Sequence, residues 1–347
     1  MVKRIVICAD GTWNRPEKDL EKDFPTNVLK LARAIKPIGD DGVSQQVFYD
    51  WGVGSYYNSV VGGATGAGIQ KNIKDNYRYI VQNYNDGDEL YFFGFSRGAY
   101  TVRSLCGLIN NCGILKRDKA HLIEQAFEHY KNGDKDYEPR SALSEMFIAD
   151  NCHASKSVKF VGVWDTVGAM GIPISFLGLF EDEDEFYDTK MGSNIQIARH
   201  ALAIDEHRKD FTPTIWQPRN SVDIKQVWFC GAHSNVGGSY APDDEDRGLL
   251  SDIPLQWMIK EAQVHTLFVE SHLVNELKPK VTATITESRK SFYRVKRKAY
   301  RKLQLTDKEY KLKLHSSVKA RYDADKSYRP TNLVNEIKSN GWPILEE

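Results

Sequence analysis

The 347-residue sequence has few cysteines, no net charge and no apolar run long enough to span a membrane. Its five cysteines lie at irregular spacings, without a Cys-x-x-Cys pair or a Cys/His cluster, which excludes a zinc ribbon and a disulfide framework. Lys plus Arg and Asp plus Glu number 47 each, so the overall charge indicates no nucleic acid partner. The first residues do not resemble a signal peptide. We therefore expect a cytoplasmic protein, or one exported by a system that needs no signal peptide.

Strand-like apolar runs alternate with helical runs along most of the chain. This alternation predicts an α/β fold, with a mainly parallel sheet covered by helices on both faces. The predicted strands are residues 3–8, 46–49, 89–95, 158–163 and 224–230. The predicted helices are residues 27–35, 69–83, 96–110, 119–131, 139–148, 194–204 and 253–268.

The last part of the chain has a different charge balance from the rest. Residues 278–329 contain 17 Lys and Arg against 5 Asp and Glu. We expect a catalytic domain over residues 1–277 and a basic extension packed on it over residues 278–347. Within the extension, a basic cluster over residues 289–298 is either a surface for anionic lipid headgroups or a solvated face that balances the acidic body.

The strongest motif is GFSRGA, which begins at Gly94 and satisfies Gly-x-Ser-x-Gly. A predicted strand leads into it and a predicted helix follows, which is the setting of a nucleophile elbow. Ser96 is therefore the candidate nucleophile. The backbone N–H of Arg97, the next residue, is a candidate oxyanion donor. An ordinary strand-to-helix turn is the alternative interpretation.

A nucleophilic serine needs a base and an acid that orients the base. Asp165 and His233 each follow a later predicted strand, so both are expected at the sheet edge that carries Ser96. His200 and Asp205, in or next to a predicted helix, are assigned supporting roles. His315 lies in the basic extension, where the sequence does not predict its position.

The stretch CADGTWN follows the first strand and differs by one residue from a phosphatase motif. That motif has an aspartate nucleophile where this chain has Cys8, so Mg²⁺-dependent phosphatase chemistry is a weaker alternative. We expect the backbone N–H groups of Gly11 and Thr12 to face Ser96 as further oxyanion donors, and Asp10 to brace the loop.

These motifs together resemble a largely uncharacterised family of α/β-hydrolases that includes phospholipase effectors of bacterial type VI secretion. The resemblance rests on DGTWN, YDWGVG, GFSRGA, WDTVG, HALAIDE, WFCGAHSNVGG and a closing HSSV with Arg321 and Tyr328-Arg329-Pro330. It implies that Ser96, Asp165 and His233 form a catalytic triad for acyl-ester hydrolysis.

The sequence thus predicts a serine hydrolase of carboxylic esters, most plausibly lipid or phospholipid esters, that needs no metal or organic cofactor. A catalytically silent binding or regulatory module on the same fold is the alternative. Residues 172–186, apolar in their first half, are a candidate flap over an acyl chain, with an ordinary surface loop as the other interpretation.

Overall fold

Eight parallel strands form one sheet in the part of the chain that the structure describes. The strands are β1 (Lys3–Ala9), β2 (Ser44–Asp50), β3 (Glu89–Phe95), β4 (Val158–Trp164), β5 (Ile195–Ala203), β6 (Asp223–Phe229), β7 (Leu312–His315) and β8 (Leu345–Glu346). Their spatial order is β2-β1-β3-β4-β5-β6-β7-β8, which confirms the predicted parallel α/β architecture. This structure, a computed structural model, describes residues 2–12, 14–19, 21–52, 66–131, 138–167, 191–243, 246–289 and 297–347.

Helices enclose the sheet on both faces. They are α1 (Asn27–Ala34), α2 (Gly66–Asn83), α3 (Arg97–Cys112), α4 (Ile123–Lys131), α5 (Ala142–Asn151), α6 (His233–Gly237), α7 (Asp252–Val264), α8 (Ser271–Asn275), α9 (Ser316–Ala324) and α10 (Thr331–Asn340). One core lies between the sheet and α1 and α7, and a second lies between the sheet and α2, α3 and α4. Among the described residues, no helix has the length and apolar character needed to cross a bilayer.

Strand β1 shows why the central strands are continuous apolar runs. Val6 and Cys8 point into the core under α1 and α7, while Ile5 and Ile7 point into the other core. Because successive side chains of a strand alternate between faces, a strand buried on both faces needs apolar residues at every position. All four side chains are fully buried.

The predicted helix over residues 194–204 is wrong, because these residues form strand β5 between β4 and β6. Nearly every position of β5 is buried, so its sequence shows no alternation, and a short apolar run of this kind cannot be distinguished from a buried helix. Two buried polar residues also interrupt it, and each has a partner inside the fold. Arg199 pairs with Glu261 and Asp223, and His200 accepts a hydrogen bond from the Thr166 N–H.

Residues after 278 complete the same sheet. Strand β7 pairs with β6, and β8 pairs with β7, so the edge of the sheet beyond β6 comes from the predicted extension. Helix α9 begins directly after β7, where the His315 side chain accepts a hydrogen bond from the Ser317 N–H and caps the helix. The division of the chain at residue 277 stays a prediction.

Gly98 lets helix α3 approach strand β1 closely. A Cβ atom at this position would lie 2.1 Å from the Ala9 carbonyl oxygen and 2.5 Å from that of Asp10. Both are backbone atoms of the packed sheet, so the helix would have to move. We expect Gly98→Ala to destabilise the protein by about 1–3 kcal/mol, as overpacking does in other cores. Thermal unfolding would show this as a lower Tm.

Gly42→Ala is the matched control for Gly98→Ala. Gly42 has a φ of 76°, and a Cβ there would meet nothing within 4 Å. Its loss of stability should come from backbone strain alone, about 1 kcal/mol. Equal losses in the two variants would contradict the steric account of Gly98.

Candidate active site

Ser96 occupies the turn between β3 and α3. Its φ of 57° and ψ of −123° place it in the left-handed half of backbone space, which non-glycine residues rarely adopt. The strand-turn-helix geometry of a nucleophile elbow has this strain. The Ser96 Oγ lies 2.8 Å from His233 Nε2, and the residue is 8% exposed.

His233 and Asp165 come from two other strand ends of the same sheet edge. Asp165 directly follows β4, and His233 begins helix α6 after β6. His233 Nδ1 lies 2.5 Å from Asp165 Oδ2. The rings of Phe95 and Phe211 pack against the imidazole at centroid distances of 4.6 and 5.0 Å. The predicted Ser96, His233 and Asp165 are thus brought into one continuous chain of hydrogen bonds.

The protonation states of His233 and Asp165 favour proton transfer from Ser96 to His233. Burial lowers the pKa of His233, and the neighbouring Asp165 carboxylate only partly opposes this, so the imidazole is neutral near pH 7. Because a carboxylate only accepts hydrogen bonds, the proton of the neutral ring lies on Nδ1 and Nε2 is left to accept from Ser96. Burial would raise the pKa of Asp165, but Arg301 and His233 outweigh it and hold that pKa well below its usual value.

Arg301 is a site residue that the sequence did not predict. Its guanidinium donates to both Asp165 oxygens, at 2.6 Å from Nη1 to Oδ1 and 3.0 Å from Nη2 to Oδ2. It lies in a strongly basic stretch, and such a stretch usually indicates a solvated face. The local pattern therefore gives no sign that one of its arginines is buried.

The Asp10 carboxylate holds the loop after β1 through three hydrogen bonds. Its Oδ2 accepts hydrogen bonds from the Thr26 and Tyr49 hydroxyls, both at 2.6 Å, and its Oδ1 accepts one from the Gly11 N–H at 2.7 Å. Burial raises the pKa of Asp10 to about 6, although these hydrogen bonds oppose the rise. The carboxylate thereby ties β1 to β2 and to the start of α1.

The Gly11 N–H is directed to Asp10 and not to the space beside Ser96. An N–H has one hydrogen to donate, so Gly11 contributes to the site by its small size instead. A Cβ at this position would lie 3.2 Å from the Ser96 Cβ and 2.7 Å from Asn14 Nδ2. Among the candidate donors, Arg97 opens helix α3, and the buried hydroxyl of Thr12 has no hydrogen-bond partner among the described residues.

His200 and Asp205 lie one step outside the hydrogen-bonded chain. His200 Nε2 accepts a hydrogen bond from the Thr166 N–H, next to Asp165, and burial lowers the pKa of His200 to about 3. Asp205 Oδ2 accepts hydrogen bonds from the Gly231 N–H at 2.7 Å and the Tyr328 hydroxyl at 3.0 Å. His200 therefore holds the backbone next to Asp165, and Asp205 holds the backbone two residues before His233.

Cys8 and His315 lie away from Ser96. Cys8 is fully buried in β1, and burial raises the pKa of its thiol, so it is placed as a core residue and not as a phosphatase nucleophile. His315 stacks on Phe229 at a centroid distance of 4.6 Å. The candidate flap over residues 172–186 lies outside the described residues, as do Lys290, Arg294 and Lys296 of the basic cluster. Within the described ranges, no group of three or more His, Cys, Asp or Glu residues is placed to hold a metal ion.

Comparison with known proteins gives one family match and several distant relatives. A family model described as "T6SS, Phospholipase effector Tle1-like, catalytic domain" matches residues 3–261. An uncharacterized protein of Saccharomyces cerevisiae is 23% identical in an alignment 302 residues long, and the match covers 80% of this chain and 41% of that protein. The chain therefore spans less than half of this curated relative's length.

Two solved structures are similar at lower identity. A crystal structure of an uncharacterized protein from Pseudomonas aeruginosa is 17% identical, with a TM-score of 0.48 over 80% of this chain and 49% of that one. A structure of the Tle1 effector bound to the VgrG spike from the type VI secretion system is 18% identical, with a TM-score of 0.42 over 71% of this chain and 53% of that one.

Proposed function

This chain belongs to the family of Tle1-like phospholipase effector catalytic domains, and from that membership and the geometry around Ser96 we propose that it hydrolyses the acyl esters of phospholipids. The observation that carries the proposal is the hydrogen-bonded chain from Ser96 through His233 to Asp165, which joins the ends of three strands. In this proposal Ser96 is the nucleophile, His233 the general base and Asp165 the acid that orients it.

The proposed reaction has two halves with one acyl-enzyme between them. Ser96 Oγ attacks the ester carbonyl while His233 Nε2 takes the hydroxyl proton, and His233 then gives this proton to the departing alkoxide. A water molecule next attacks the acyl group on Ser96 while His233 Nε2 takes a proton from the water. The bond between Ser96 Oγ and the acyl carbon then breaks, His233 returns the proton to Oγ, and the fatty acid leaves. The N–H groups of Arg97 and Thr12 are the proposed donors to the oxyanion of each tetrahedral intermediate.

A lipid panel read by mass spectrometry tests the proposal. Vesicles of single phospholipids, and mixed micelles of neutral acylglycerols, are incubated with the wild-type protein or with the protein pretreated with a fluorophosphonate. We expect free fatty acid and lysophospholipid from the phospholipids, and neither product after pretreatment. Phospholipids with two different acyl chains would show which ester is cut. Release of the headgroup without a fatty acid would contradict the proposal and indicate phosphodiester chemistry.

In the pH profile of kcat/KM, the midpoint of the acid limb should lie at a pH below the ordinary pKa of histidine. His233 must be neutral to accept the Ser96 proton, and burial lowers its pKa from the usual value of about 6.5. Protonation therefore begins to remove activity only at a lower pH than for an exposed histidine. A pH profile of kcat/KM on a soluble short-chain ester measures this midpoint. A midpoint above the ordinary histidine value would show that Asp165, and not burial, dominates the pKa.

We also propose that exposed side chains near Arg301 contact an anionic lipid surface. Lys298, Tyr300 and Lys302 are exposed around the buried Arg301, and an aromatic ring between two cations suits the headgroup region. Replacing both lysines with glutamine should weaken binding to anionic vesicles about tenfold or more, at about 1 kcal/mol per charge. Vesicle sedimentation at low and high salt measures this. Unchanged binding would remove the proposed contact.

A further inference from the structure

Arg301 lies 40 residues beyond the segment that the family model matches, in a short strap over residues 297–303. The strap is anchored by three hydrogen bonds to the body of the protein. The Ala299 N–H donates to a carbonyl after β5, Trp228 Nε1 donates to the Leu303 carbonyl, and Asn332 Nδ2 donates to the Arg301 carbonyl. Neighbouring Lys302 is exposed, whereas the Arg301 side chain is only 5% exposed. The strap thus holds this one cation inside the fold.

The guanidinium of Arg301 fixes the plane of the Asp165 carboxylate. Besides its two bonds to the carboxylate, Nη1 donates to the Ala203 carbonyl at 2.7 Å and Nη2 to the Phe211 carbonyl at 2.6 Å. Asp165 Oδ1 also accepts the Ala203 N–H at 2.9 Å, which leaves Oδ2 facing His233. Both oxygens of the carboxylate therefore have two donors, and the rigid fork of Arg301 supplies one to each.

The charges around Asp165 give Arg301 a second effect. Asp165 is 0% exposed, and a buried carboxylate is stable in its charged form only when it is paired. Among the described residues, Glu206 and Arg208 also act on His233, and their side chains bind each other through two hydrogen bonds. The remaining neighbour, His200, is held neutral by burial, which lowers its pKa to about 3. Among the residues that the structure describes, Arg301 is the Lys or Arg side chain that touches Asp165 directly.

We propose that Arg301 is a positioning residue of the Ser96 site, which keeps Asp165 ionised and turned so that Oδ2 receives the His233 Nδ1 proton. The inference rests on the proposed function in one respect, since it takes Asp165 to be the acid that orients the catalytic base. It extends that function to the C-terminal part of the chain, because catalysis then needs the strap over residues 297–303.

Three variants separate orientation from charge. Arg301→Lys keeps the cation but loses the bidentate fork, Arg301→Met removes the charge at similar volume, and Arg301→Ala leaves space for added guanidinium. The matched control is Arg321→Met. Arg321 is also buried, and its Nη1 donates to the Val281 and Ala283 carbonyls, at 2.6 and 2.7 Å, without touching Asp165.

The first readout is steady-state kinetics on a soluble ester. We expect Arg301→Met to lower kcat about 10- to 100-fold with KM almost unchanged, the range found when the hydrogen-bond partners of metal ligands are removed from other sites. Arg301→Lys should lower kcat by less, and guanidinium should restore part of the activity of Arg301→Ala. Arg321→Met should lose stability but keep the wild-type kcat. Wild-type kcat in Arg301→Lys would overturn the orienting role, even if the other variants fail to fold.

The second readout is the titration of the Asp165–His233 pair by NMR of the His233 ring. Loss of the nearby cation stabilises the protonated forms of both groups, so the pair should take up its first proton at a higher pH in Arg301→Met. The acid limb of kcat/KM should move the same way, and Arg321→Met should move neither. An unchanged titration in a folded Arg301→Met would overturn the proposal. A wild-type protein without esterase activity would instead refute the proposed function, and the titration would still test Arg301.

Discussion

Replacing Ser96 with alanine is expected to lower kcat for ester hydrolysis about 10⁶-fold, the loss seen when the serine of a triad is removed from other hydrolases. Ser96 supplies the attacking oxygen, and no neighbouring group can replace it in the covalent step. Its Oγ is held 2.8 Å from His233 Nε2 by a turn that the backbone adopts only under strain. Rates on a p-nitrophenyl acyl ester and covalent labelling by a fluorophosphonate measure the effect, because only an activated serine is labelled.

Ser104→Ala is the control for Ser96→Ala. Ser104 lies on α3, the helix that follows Ser96, and is 2% exposed, and its hydroxyl has no hydrogen-bond partner among the described residues. Its removal leaves no donor or acceptor stranded, so stability and labelling should stay close to wild type. Persistent labelling of Ser96→Ala at the wild-type rate would show that the nucleophile is elsewhere. Absence of labelling in the wild type would favour a catalytically silent module on this fold.

The sequence predicted the sheet and the position of Ser96 because both depend on local patterns. Strands β1, β3 and β4 are apolar at nearly every position, and the glycines of GFSRGA permit the close turn between β3 and α3. Asp165 and His233 were predicted from strand ends, since parallel strands bring their carboxyl ends to one edge. Strand β5 was mistaken for a helix because burial on both faces removes the alternation that identifies a strand.

The remaining contacts of the site depend on long-range packing. Arg301 and Asp165 are 136 residues apart, and nothing in the basic stretch distinguishes Arg301 from the exposed Lys302 beside it. The direction of the Gly11 N–H is equally hidden, because it depends on the rotamer of Asp10, which Thr26 and Tyr49 fix. Sequence patterns show which face of an element is buried, but they do not show which distant side chain it meets.

Replacing Asp165 with asparagine should lower kcat about 10⁴-fold, as the same change does in other triads. All four hydrogen bonds of the Asp165 side chain come from donors: the Ala203 N–H, two from Arg301 and one from His233. An asparagine has an NH₂ group in place of one carboxylate oxygen, and this NH₂ faces two of the four donors. If the NH₂ faces His233, the imidazole must carry its proton on Nε2 and cannot accept the Ser96 proton. If the NH₂ faces Ala203, the Ala203 N–H and the Arg301 Nη1 lose their acceptor.

The same substitution should also lower the free energy of unfolding by about 3–5 kcal/mol, because it leaves the Arg301 charge buried without a counterion. Stability and activity can be separated with the double variant Asp165→Asn, Arg301→Met. Removing the stranded charge should recover much of the stability, but the orienting carboxylate is still missing, so kcat should stay low. Thermal unfolding and ester hydrolysis, measured on the wild type, both single variants and the double variant, give the full cycle.

Asp252→Asn controls for the loss of a buried carboxylate elsewhere. Asp252 is 2% exposed and binds the Lys30 ammonium group and the Lys278 N–H, both outside the Ser96 site. It should lose stability while it keeps the wild-type kcat, since neither partner contacts Ser96, His233 or Asp165. If Asp165→Asn kept kcat within tenfold of wild type, Asp165 would not be the acid that orients His233. If the double variant recovered activity together with stability, the loss in Asp165→Asn would be one of folding and not of the His233 tautomer.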